Sequence, residues 1–141
     1  MKIIFSIISL AIFSLALANE AAFVKKIKGD VNILREGQEL KVDVGTKVFE
    51  KDTVVTSSKS SVGLIFKDNT RISVGSNSRF EIEKYLFVPE KNQEAFVTNL
   101  VKGSMECMTG LISKVNPKAF KVKAKTATMG IRGTHFIIKV D

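Results

Sequence analysis

The sequence predicts an all-β domain, β-helix-like or sandwich-like, of ten or more short strands preceded by a signal-peptide helix. Three observations point there: apolar residues recur with a period of two in one segment after another, glycine, asparagine, aspartate and serine turns separate those segments, and nothing beyond Ala18 carries a helical period. No repeat of fixed length separates a β-helix from a sandwich. The composition agrees with a packed core, with 45% hydrophobic residues, ten phenylalanines and no tryptophan.

Residues 1–18 read as a secretory signal: Lys2 supplies a positive charge, Ile3 to Leu17 is uncharged, and Ala16-Leu17-Ala18 is a small-x-small cleavage site. As a helix the apolar run spans about 22 Å, short of the roughly 30 Å bilayer core. Removal after Ala18, with no stable membrane anchor after processing, is the expectation. The domain is then residues 19–141, periplasmic or secreted.

Within it, Val31 and Ile33 alternate with polar positions after Gly29-Asp30, and Glu36-Gly37 turns the chain toward Leu40, Val42 and Val44. Val48-Phe49 and Val54-Val55-Thr56 follow, and Val62 to Phe66 is a dense apolar run. Lys67-Asp68-Asn69-Thr70 is the sharpest turn signal, because Asp and Asn tolerate left-handed backbone. Ile72 and Val74 resume the alternation; Phe80, Ile82 and Lys84 are placed on one face of a strand running to Val88. Pro89 to Gln93 reads as an exposed loop, and Phe96 and Leu100-Val101 as a strand ending at Lys102-Gly103. Phe120, Val122 and Ala124 then point one way and Lys121, Lys123 and Lys125 the other, the cleanest alternation in the chain.

The chemistry-bearing residues are few. Cys107 is the lone cysteine and shares a strand face with Met105 and Thr109, so it reads as a buried thiol. His135 is the one histidine, and its neighbour Phe136 places the imidazole toward solvent. A soft copper(I) site from Met105, Cys107, Met108, Met129 and His135 would need ligand pairs at close spacing, which are missing, so no metal or cofactor is expected. Neither a carboxylate pair nor a nucleophile–base set nor a phosphate loop stands in context, so the chain reads as a non-enzyme.

The most distinctive stretch is Met129-Gly130-Ile131-Arg132-Gly133-Thr134-His135-Phe136. Gly130 and Gly133 flanking Arg132 imply a strand with a corner, Arg132 donating to carbonyls there and Thr134 bonding to the turn. Lys121, Lys123 and Lys125, with Lys25, Lys26 and Lys28, form basic rows in a chain where Lys plus Arg outnumber Asp plus Glu by 22 to 14.

In order, Gly29-Asp30-Val31, Gly45-Thr46-Lys47-Val48 with Asp52-Thr53-Val54-Val55-Thr56, the run Val62 to Ile72 with its Asp-Asn-Thr turn, and Gly130-Ile131-Arg132-Gly133-Thr134-His135-Phe136 resemble the FecR domain family. Asn69 stands where that family usually has glycine. The resemblance implies a stand-alone periplasmic domain without the anti-sigma segment or transmembrane helix of the signal transducers, used to contact an unidentified envelope protein. The alternative from charge is a binder of anionic polysaccharide or lipopolysaccharide through the Lys121, Lys123 and Lys125 face. Nucleic acid is excluded by the expected export and by basic rows that lack interleaved aromatics.

Overall fold

A computed structural model describes residues 18–125, 127–130 and 135–141. The expected signal segment therefore lies almost wholly outside the described residues, and so do Arg132, Gly133 and Thr134. The domain is all-β: the twelve strands among the described residues form one curled sheet. They are β1 (Glu20–Lys28), β2 (Val31–Arg35), β3 (Gln38–Lys41), β4 (Lys47–Phe49), β5 (Thr53–Thr56), β6 (Ser61–Phe66), β7 (Arg71–Val74), β8 (Arg79–Val88), β9 (Gln93–Met108), β10 (Phe120–Ala124), β11 (Ala127–Gly130) and β12 (His135–Val140).

The spine is β9. Its first part, up to Lys102, pairs with β8 on one side and, in parallel register, with β10 on the other; its last part, from Gly103, pairs with β7 and β12. One layer is thus β4-β1-β6-β7-β9-β12, and the other is β3-β2-β5-β8-β9-β10-β11. The two expected strands around Gly103 are in fact one strand that bends between layers. Gly103 makes the bend possible: its φ is +93°, and a Cβ there would lie 2.5 Å from the Cα of Ser78. This corner falls at a glycine flanked by lysine and serine; the one expected of the arginine-glycine-threonine stretch lies outside the described residues.

Alternation builds the core between the layers. Val62, Leu64 and Phe66 of β6, Ile72 and Val74 of β7, and Phe120 and Val122 of β10 all point inward and are buried. Phe66, Tyr85, Phe96 and Phe120 join the layers as a chain of rings, with centroids 4.8 Å apart for Phe66–Phe96 and 4.4 Å for the stacked pair Phe96–Phe120. Burying each such ring is worth about 2 to 3 kcal/mol, and each ring pair adds about 1 kcal/mol.

Two expectations are corrected by local geometry. Lys84 does not share the face of Phe80 and Ile82, because a bulge between Ile82 and Lys84 shifts the register of β8 and turns Tyr85 inward. Leu111–Val115 forms a short helix, α1, which buries Ile112 and Ser113 against the sheet. Five residues are too few for a period to register. Pro89–Lys91 is exposed as expected, wound as one 3-10 turn.

Candidate functional site

The two aspartate-threonine turns are the densest polar sites. Asp52 is buried and accepts from Nε and Nη2 of Arg35 at 2.9 and 2.8 Å and from the N–H of Phe49 at 2.8 Å. Arg35 lies over the Phe49 ring, 4.8 Å from its centroid, and the hydrogen bond to Asp52 holds its guanidinium pKa above the ordinary value. The arginine of β2 thereby clamps the β4–β5 turn.

Asp68, fully buried, anchors the other turn without a cation. Its carboxylate accepts from the Thr70 hydroxyl at 2.7 Å, the Tyr85 hydroxyl at 3.1 Å and the N–H groups of Ile112 and Thr70 at 3.1 and 3.3 Å. Its carbonyl accepts from the N–H of Leu111, and Gly110 donates to the Thr70 hydroxyl. Asn69 occupies left-handed backbone at φ 69°, where asparagine substitutes well for glycine. A Cβ on Gly110 would lie 2.3 Å from the Asp68 carbonyl oxygen, so glycine is required for this approach. Burial first, then the Asp68 charge, pushes the Tyr85 hydroxyl well above its ordinary range and the Cys107 thiol up to about 12. Cys107 is buried and free, as the alternation suggested.

At the opposite end of the layers, hydroxyls tie turn to turn. Thr56 donates to the Gly75 carbonyl and accepts from the Ser78 N–H, Ser76 bonds both ways with the Ser60 backbone, and Ser78 accepts from the N–H of Ser104 at 3.0 Å. These hydroxyls are engaged in holding turns. No group of three or more His, Cys, Asp or Glu side chains suited to a metal occurs among the described residues.

Of the residues singled out from sequence, Arg132, Gly133 and Thr134 lie outside the described residues, and register sets Gly130 beside Lys121. Gly130, on β11, has no positive φ, and no described atom lies within 4 Å of its Cβ position. Lys121 and Lys123 project from β10, but Lys123 is paired with Glu83 at 2.7 Å, and Lys125 stands beyond the strand in a turn at φ 55°. His135 is exposed, as expected, with Nε2 2.6 Å from Oε1 of Glu106.

What pattern reading missed is the outer face of the first layer. Register brings Lys47, Phe23, Ile65, Arg71, Met108 and His135 into one row across β4, β1, β6, β7, β9 and β12. The next row is Lys26, Gly63, Ser73, Glu106 and Ile137. These residues come from five or more distant segments, so only the strand order aligns them.

A family model described as "FecR protein" matches residues 52–141. No curated protein matches the chain. Among solved structures, a "Cell surface anchoring domain" is similar, with a TM-score of 0.43 and 33% identity over 45% of this chain and 84% of that one.

Proposed function

The chain belongs to the FecR protein family, and from that premise we propose that it is a non-catalytic interaction module of the bacterial cell envelope that takes an extended segment of a partner protein along β12. One observation carries this reading: among the described residues β12 pairs on one side alone, with β9, leaving its far edge of N–H and C=O groups unpaired. Phe136 and Ile138, on its inward face, are half-buried, with no described strand beyond that edge, and Phe136 meets Phe120 edge-on at 6.4 Å. An added strand with alternating apolar residues would cover both.

The test is retrieval of protein from envelope extract at low and high salt, with wild type and Ile138→Asn compared at equal folded concentration. A salt-resistant partner that the variant loses, and that a photocrosslinker at Ile137 reaches, supports the reading. Equal capture by both proteins would overturn it.

A further inference from the structure

The outer face of the first layer gathers cations without neutralising them. Lys25, Lys26, Lys28, Lys47, Arg71 and Lys139 all project from it, and none has an ion pair among the described residues; the carboxylates Glu20 and Glu106 on these strands are taken up by Lys67 and His135. The outer face of the second layer differs, for there Glu39, Glu81 and Glu83 stand among Lys41, Arg79, Lys121 and Lys123.

Between the cations the first layer is low. Gly63 and Ser73 fill the middle row, and Ser61, Gly75 and Ser104 lie in the row from Lys28 to Lys139. From β1 to β12 is four strand spacings, about 19 Å. The serines at the layer ends spend their hydroxyls on turns, yet those of Ser61, Ser73 and Ser104 have no partner among the described residues. Apolar side chains line one border of this trough, with Phe23 41% exposed and Met108 53% exposed.

We infer that this trough binds an acidic polysaccharide, its carboxylates or phosphates set against Lys26, Lys28 and Arg71, its hydroxyls against Ser61 and Ser73, and a sugar face against Phe23. Charge complementarity selects a polyanion. A recessed floor of glycine and unengaged serine suits a hydroxylated chain lying in it; a bilayer would require apolar groups projecting past the cations. Bases would need more stacking partners than the single Phe23. The trough is a face and β12 presents an edge, so this site stands apart from the strand-addition reading.

The probe is polygalacturonate, with neutral dextran and phosphatidylglycerol vesicles as comparisons, titrated calorimetrically at low and high salt. Wild type is expected to bind polygalacturonate, to ignore dextran, and to lose affinity with salt. Lys26→Gln/Lys28→Gln/Arg71→Gln should weaken binding about tenfold or more, whereas Lys121→Gln/Lys123→Gln should change it less than about twofold. Ser73→Ala, which leaves the charge intact, should weaken it about threefold, the loss of one hydrogen bond. All these positions are exposed or half-exposed, and thermal melts check that each variant is folded. Equal loss in the two lysine variants, preference for the vesicles over the polysaccharide, or no binding to polygalacturonate would each overturn the assignment.

Discussion

Asp52 and Asp68 are both buried carboxylates beside a threonine in a turn, yet their losses are not equivalent. Arg35, the partner of Asp52, has a side chain 35% exposed and can turn to water when released. The donors to Asp68 are buried hydroxyls and N–H groups that have nowhere else to go. Asp68→Asn should therefore cost about 2 to 4 kcal/mol and Asp52→Asn about 1 to 2 kcal/mol, read from urea midpoints. Cys107 and Tyr85 give a second prediction. Both hold their protons more tightly when folded, so their contribution is intact at neutral pH, starts to be lost as the unfolded thiol ionises, and is gone as pH passes the raised folded values. Stability should fall from about pH 9 upward, less steeply in Cys107→Ala, and the native thiol should resist alkylation at neutral pH.

Among elements, β9 carries the sharpest prediction. Gly103→Ala places a methyl against Ser78 in a left-handed conformation and should cost about 3 kcal/mol or more, while Gly130→Ala, which meets no described atom, should stay within about 0.5 kcal/mol of wild type. Thermal melts of the two variants decide it. This contrast also marks what the sequence could tell. Both glycines sit among strand-like residues, but only the approach of Ser78, 25 positions earlier, makes Gly103 special. The alternation in β6, β7 and β10 was readable because each residue's neighbours fix its face. The bulge in β8 was not, because Glu83, Lys84 and Tyr85 obey no local rule that says which of them is skipped. The turn at Asp68 announced itself through asparagine and aspartate; its link to α1 depends on residues 44 positions away.

For the whole molecule, the outward rows were illegible for the same reason on a larger scale. Phe23, Arg71 and Ile137 each look like an ordinary solvent position until strand order sets them side by side. Alternation and turn residues supplied the fold class, and the family resemblance left the binding faces open, since a family pattern records turns and core more than surface.

Because β9 belongs to both layers, neither layer has an independent existence. A chain ending before Gln93 keeps the β4-β1-β6-β7 and β3-β2-β5-β8 ladders but lacks the strand that joins them. Assembly must wait for the polypeptide to reach Met108, and disassembly must be all-or-none: heating should give one calorimetric transition with equal van't Hoff and measured enthalpies. Long-range pairing of this kind makes folding slow, on the order of milliseconds to seconds. A polypeptide that stays open until its last third arrives can be threaded through a narrow passage before it closes.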